Sequence, residues 1–173
     1  MKFMNLVHDR YSVRKFSDKP VEKEKLELVL QAGRLAPTAG NLQPQRILVI
    51  ESGEAMEALK KCTPCHFGAP MALLVCYDKT ASAKRHYDNY NTGEADASII
   101  ATHMLLQIAD LGLGSTWVAH FDPAAVREEF ALPEHFVPVA LLPLGYPAED
   151  AAPNQQMHFQ RKTLEETVFY NHF

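Results

Sequence analysis

Residues 97–113 read ASIIATHMLLQIADLGL. Within this stretch Ala97, Ile100, Ala101, Met104, Leu105, Ile108 and Leu111 recur at intervals of three and four for nearly four turns, which is the spacing of one helix face. Ile99 and Leu106 make the opposite side apolar as well. A helix that is hydrophobic almost all round belongs at the centre of a domain or in a core shared between subunits. His103, Gln107 and Asp110 interrupt the run, so the stretch reads as a buried helix and not as a membrane span.

Working outward, RILVIE at 46–51 and MALLVCY at 71–77 are short, apolar and β-branched, as buried strands should be. A short helix over about residues 53–61 lies between them. Upstream, Pro20 with Glu22 and Glu24 signals a helix start, because Pro suits the first turn and acids suit the positive end of the dipole. Leu26, Val29, Leu30 and Gly33 form its buried face, and the helix must stop before Pro37. A polar loop, PTAGNLQPQ, follows. Downstream, GLGSTWVAHFD at 112–122 reads as a glycine turn, a strand and a new helix start, with Asp122 as cap and Pro123 in the first position. FVPVALLPLG at 136–145 is another strand, whose prolines point to a sheet edge or to bulges. From Pro147 the chain is a polar tail that wraps the surface before TLEETVFYNHF. Strands alternating with helices predict a layered α/β or α+β sandwich.

A chain of 173 residues is the size of one domain, with 47% hydrophobic and 22% charged residues, so it should fold around its own core. Its net charge of -4 and the lack of a dense Lys/Arg run argue against nucleic acid as a partner. Charges at Lys2, His8, Asp9 and Arg10 break the N-terminus, MKFMNLVHDRYSVRKF, into no apolar run, so it does not read as a signal peptide and a cytoplasmic location is expected. No membrane segment is implied, and three cysteines in such a chain should stay reduced.

Two of those cysteines stand in CTPCH, Cys62 to His66. The spacing permits covalent haem attachment, a redox dithiol, half of a zinc site or a plain turn closed by Pro64. Haem attachment of this kind accompanies export, for which there is no signal, and zinc needs about four ligands that no second pair supplies. The turn is the leading interpretation. No metal is expected, since no His-Glu-x-x-His is present, and Gly-x-x-x-x-Gly-Lys and Gly-x-Ser-x-Gly are also absent. The remaining polar concentration is RYSVRKF at 10–16, where Arg10, Ser12, Arg14 and Lys15 could grip a phosphate, with Arg161 and Lys162 as further donors. Solvated surface charge is the plain alternative.

DRYSVRKFSDKPV at 9–21, LQAGRLAPTAGNLQPQRILVI at 30–50, LGLGSTWVAHFD at 111–122, LGYPAE at 144–149 and RKTLEETVFY at 161–170 resemble, in that order and spacing, the FMN-dependent nitroreductase family. The resemblance implies an α+β fold, a three-layer α/β/α sandwich on a mixed, mainly antiparallel sheet. It further implies a homodimer with FMN at the subunit interface, the whole of 1–173 as one FMN-binding domain, and 147–173 as an extension packing on the dimer. By position Arg10, Tyr11 and Ser12, helped by Arg161, would hold the phosphate and ribityl end. Arg14 would face the pyrimidine edge, where positive charge stabilises an anionic reduced flavin.

Pro37, Thr38, Ala39, Gly40, Asn41 and Gln43 resemble the loop that approaches the flavin from the other subunit. Val118, Ala119 and His120 match the segment whose backbone N–H groups lie near flavin N5. The implied activity is ping-pong hydride transfer from NAD(P)H to nitroaromatic, quinone or similar acceptors, with the cofactor carrying the chemistry. The same fold also hosts flavin-dependent dehalogenases and flavin-remodelling enzymes, and a flavin-binding redox sensor is the non-enzymatic alternative. Three departures bear on the acceptor: Gln45 replaces a common aromatic, His120 replaces a common small residue, and the long helical insertions of larger relatives are missing. CTPCH just precedes a strand near which relatives' polar side chains reach the flavin, which raises Cys65, or Cys62 with Cys65, as an electron-exchange partner.

Overall fold

A strand whose side chains are all apolar offers no face to water, and residues 71–76 are buried on both sides. In the computed structural model, which describes residues 2–173, they belong to β2 (Met71–Asp78). This strand pairs antiparallel with β1 (Gln45–Ile50) and with β4 (Phe136–Gly145), and a two-residue β3 (Gly114–Ser115) completes the order β1-β2-β4-β3. Strand alternation sorts the core. Met71, Leu73 and Val75 join Ala140, Leu142 and Leu144 on one face, while Ala72, Leu74 and Cys76 join Leu141 on the other.

The first face is covered by α2 (Lys23–Leu35) and α4 (Gly93–Asp110), through Leu26 and Val29 and through Ala97, Ile100, Ala101, Met104 and Ile108. The two helices cross closely because Gly33 has no side chain: a Cβ there would sit 2.7 Å from Met104 Sδ. The second face is covered by α3 (Gly53–Cys62) and α5 (Pro123–Glu129), which contribute Met56, Leu59, Cys62 and Val126. This is the three-layer α+β sandwich that the resemblance implies. Its ladders are antiparallel, and the parallel element is a bridge between Ser12 and Ser115.

Local chemistry sets the element ends. Ser52 Oγ accepts from Ala55 N–H at 3.1 Å to start α3, and the Asp122 carboxylate accepts from Ala124 and Ala125 N–H to start α5. Ala36, forced into extended backbone by Pro37, ends α2. Lys25 Nζ donates to Leu111 O at 3.1 Å and to Tyr146 Oη at 2.7 Å, which clamps the C-terminal end of α4 against the start of α2.

Three expectations need correcting. Of the two readings of the β4 prolines, edge or bulge, the edge is the one corrected: β4 lies inside the sheet, and Pro138, paired with Cys76, stands at the register shift between Val75 and Cys76. Among the described residues the far side of β4 meets β3 and the Val118–Leu141 bridge, so its prolines break no continuous ladder. The strand expected in GLGSTWVAHFD is confined to Gly114–Ser115, leaves the ladder at Thr116 and Trp117, and touches it again at Val118. The tail is not simply polar. It forms α6 (Gln155–Phe159) and α7 (Leu164–Thr167), and with the equally unforeseen α1 (Phe3–Asp9) it buries no residue within the chain. Phe3, Met4, Met157, Phe159, Leu164, Phe169 and Phe173 are therefore exposed. Among the described residues no helix is long and apolar enough to cross a membrane.

Because Ile100 is wholly buried between α2 and the sheet, Ile100→Ala should destabilise the chain by about 2–5 kcal/mol. Urea unfolding with an unchanged slope checks this, and a loss below about 1 kcal/mol would mean that the α4 face is not close-packed.

Candidate functional site

After α1 the chain runs beside β3, held by Val13 N–H donating to Ser115 O at 3.0 Å and, further on, by Ala148 N–H donating to Lys15 O at 3.1 Å. Extended backbone alternates its side chains. Val13 turns inward against Gly114, where a Cβ would lie 2.7 Å from Val13 Cγ2, which leaves Ser12 and Arg14 on the outer side. Arg10, Tyr11, Ser12 and Arg14 line a cleft of about 100 Å³ with Asn154, Met157, His158 and Arg161 from the tail. The Tyr11 hydroxyl donates to Ala151 O at 3.3 Å and its ring meets the edge of His158, so Tyr11 ties the tail to the cleft.

The cleft is short of negative charge. Among the described residues no carboxylate pairs with Arg10, Arg14 or Arg161, whereas nearby Lys15 is neutralised by Asp150 at 2.5 Å. Burial, and then the neighbouring Arg161 guanidinium, pull Arg10 below its usual value. Two guanidiniums held together without an anion favour any ligand that brings one, and Ser12 adds a hydroxyl. Lys15 and Lys162, grouped with these residues by sequence, stand outside this lining.

The loop after α2 forms a second component. Gly40, Asn41 and Gln43 have φ of 59°, 54° and 50°, all in the left-handed region, which is unusual for the glutamine. The shape is enforced by Gln43 N–H donating to Thr38 Oγ1 at 3.1 Å and by Ala39 N–H donating to Asp96 Oδ1 at 2.8 Å. Asp96 is 3% exposed in the first turn of α4, and its other oxygen accepts from the Thr92 hydroxyl at 3.1 Å. Pro37, Gly40, Asn41 and Gln43 are left exposed, with Thr38 and Ala39 half-buried. Asp96 was missed by sequence reasoning. The available signal was an acid directly beside Ala97, the first core residue of an apolar helix.

The third component is Val118–His120. Val118 is buried and exchanges two 2.9 Å backbone bonds with Leu141, so its side chain serves the core. Ala119 and His120 are exposed, and among the described residues neither N–H has a partner, although Phe121 N–H donates to Ala119 O at 3.2 Å. CTPCH lies close by as the last turn of α3 and the turn after it. Cys62 is buried, with Sγ 3.5 Å from Ala58 O, and burial raises its thiol above the usual range. Cys76 is pushed up to about 12 by burial. Burial therefore disfavours the Cys62 thiolate, the form of that thiol that would exchange electrons. No group of three or more His, Cys, Asp or Glu among the described residues could hold a metal ion.

The chain brings the first and third components together, since Ser12 bridges Ser115 three residues before Val118. The second is elsewhere. Arg10 and Tyr11 adjoin Leu105, Ile108 and Ala109, whereas Asp96 holds the loop twelve residues earlier on α4. Twelve residues of α-helix span about 18 Å.

The family model described as "Nitroreductase family" matches residues 7–67 and 64–146. A crystal structure of a nitroreductase family protein from Clostridium difficile is 42% identical, covers 100% of both chains and superposes with a TM-score of 0.94. An FMN-dependent nitroreductase from the same species is 28% identical over 99% of this chain and 100% of its own, with a TM-score of 0.80. A Thermus thermophilus NADH dehydrogenase is 30% identical over 90% of this chain and 91% of its own.

Removing the carboxylate with Asp96→Ala leaves the Ala39 N–H without its buried acceptor, so a loss of about 1–3 kcal/mol is expected. Exchange of the Ala39 amide should accelerate at least about tenfold, the factor that 1.4 kcal/mol represents. Unchanged exchange would show that the loop holds its own shape.

Proposed function

This chain belongs to the nitroreductase family, and we propose that it is an FMN-dependent oxidoreductase that takes electrons from NADH or NADPH and passes them to a small acceptor such as a nitroaromatic or a quinone. The observation that carries this reading is the cleft in which Arg10 and Arg161 crowd together with no carboxylate among the described residues to neutralise them. A phosphate-bearing cofactor fits such a cleft, and the FMN-dependent relative supports FMN as that cofactor.

Arg10, Ser12 and Arg161 would hold the phosphate and ribityl end, with Tyr11 fixing the tail that carries Arg161. Bound FMN would supply two-electron chemistry, accepting hydride from the nicotinamide and yielding it to the acceptor. The chain's own contribution is placement and charge. Arg14, exposed and among the described residues without a carboxylate partner, would stabilise negative charge on the pyrimidine side. Ala119 and His120, whose N–H groups have no partner among the described residues, would offer two donors toward the reactive edge. No side-chain acid is needed between them.

Residues 37–41 and 43 would complete the site from a second copy of the chain. Their position at the far end of α4 from the arginines supports this, because two antiparallel copies of that helix would set the start of one beside the end of the other. The uncovered apolar side chains on α1 and in 147–173 supply the surface for such a homodimer, as does Ile99 on the outer face of α4.

Light scattering should give about twice the chain mass of 19.4 kDa. A monomer would leave the 37–43 loop without a role in the site. The purified protein with FMN should show the two-band flavin spectrum, bleach under anaerobic NADH or NADPH, and recover its colour with a nitroarene or quinone. Arg10→Ala should weaken FMN at least about tenfold, or 1.4 kcal/mol. Tight FMN binding without bleaching would favour a redox sensor. Bleaching without recovery by those acceptors would favour dehalogenation or flavin remodelling, and no FMN binding at all would overturn the reading.

A further inference from the structure

The CTPCH turn is joined to the Val118–His120 segment by a side chain that neither the metal nor the dithiol interpretation uses. Thr63, 2% exposed, donates its hydroxyl hydrogen to His120 O at 2.5 Å while the same oxygen accepts from Cys65 N–H at 3.0 Å. One residue earlier, Cys62 O accepts from Asp122 N–H at 2.9 Å. On the other flank Val118 is held by its two bonds to Leu141. Ala119, His120 and Phe121 are thus bracketed on both sides, and the N–H groups of Ala119 and His120 are the donors this bracket leaves over.

We propose that Thr63 is a positioning residue of the active site: it pins the His120–Phe121 peptide, and with the Leu141 N–H on Val118 O at the other end it limits how far the two intervening peptides, which carry the Ala119 and His120 N–H groups, can turn away from the cofactor. This rests on the reading that the segment faces the flavin. The CTPC stretch then acts as a brace, with Pro64 and the two cysteines shaping the turn that presents the hydroxyl. A buried hydroxyl that is donor and acceptor at once has one rotamer open to it, so the carbonyl it holds cannot swing without leaving a buried group unpaired. Displacements near 1 Å in such supporting contacts can change rates by about a hundredfold, and a loop still held at Val118 should lose less, about tenfold.

The test compares Thr63→Val, which keeps the shape and removes the hydroxyl, with Thr63→Ser, which keeps the hydroxyl. Amide exchange at Ala119 and His120 is measured with and without FMN, beside stopped-flow flavin reduction by NADH or NADPH. In the unmodified protein FMN should protect both amides. In Thr63→Val that protection should fall and flavin reduction slow by about tenfold while FMN affinity stays within about twofold, and Thr63→Ser should restore both. Full protection and an unchanged rate in Thr63→Val would overturn the inference while leaving the functional reading intact. Absence of protection in the unmodified protein would instead remove the reading on which it rests. If Thr63→Val does not fold, Thr63→Ala is read the same way, and failure of both to fold would assign Thr63 to structure alone and overturn the inference.

Discussion

Helix α4 is seated on β2, β4 and α2 by five wholly or almost wholly buried residues, Ala97, Ile100, Ala101, Met104 and Ile108, and the 37–43 loop and the Arg10–Tyr11 segment take their places from its two ends. Burial of this kind is not directional, but close packing is, and Gly33 under Met104 allows only one approach of α2. Once α4 is fixed, its two ends are fixed as well. Asp96 at the start carries the 37–43 loop, and the end, closed by Lys25 on Leu111 O, faces the segment that bears Arg10 and Tyr11. A rigid rod between the two groups of candidate site residues keeps them apart within one chain.

The chain spends its stability unevenly. The layers around the sheet are dense, whereas Arg10 and Arg161 repel each other, Gln43 holds a left-handed backbone, and the Gln45 Oε1 and Ser115 Oγ atoms are buried without hydrogen bonds. These costs gather in or beside the segments that line the candidate site. Local strain of that kind persists only when surrounding packing over-determines it, and here the packing is that of β2, β4 and α4.

The layers were legible because their signals are repetitive. The unbroken apolar run of Met71–Cys76 and the three-four spacing from Ala97 to Ile108 each extend far enough to outweigh chance, and the cap at Asp122 uses a side chain whose chemistry is local. What escaped is what one residue does for a distant one. α1, α6 and α7 bury nothing in their own chain, so no buried stripe marks them. Thr116 and Trp117 interrupt a strand that composition alone would continue. Asp96 reads as an ordinary first-turn acid until Ala39, fifty-seven positions away, is brought to it. The arginines were legible as a cluster, but the separation of Lys15 by Asp150, 135 positions on, was not.

CTPCH shows why a motif with strong chemistry can mislead. Thiols and imidazole attract attention because free in solution they bind metals and exchange electrons, yet Cys62 is packed with Met56, Leu59 and Val126, and burial raises its thiol above the usual range. The groups of that stretch that reach the neighbouring loop are a threonine hydroxyl and a backbone carbonyl, to which no motif assigns a function. In the site proposed above, where bound FMN would supply the reaction, the protein's task would be to hold donors still. Backbone N–H groups serve for that as well as side chains do, and their direction is decided by whichever buried hydroxyl or carbonyl brackets them. Residue identity at Ala119 and His120 therefore says little about the chemistry there. On the proposal above, part of what constrains that segment lies in Thr63, whose side chain it cannot lose without freeing the His120 carbonyl.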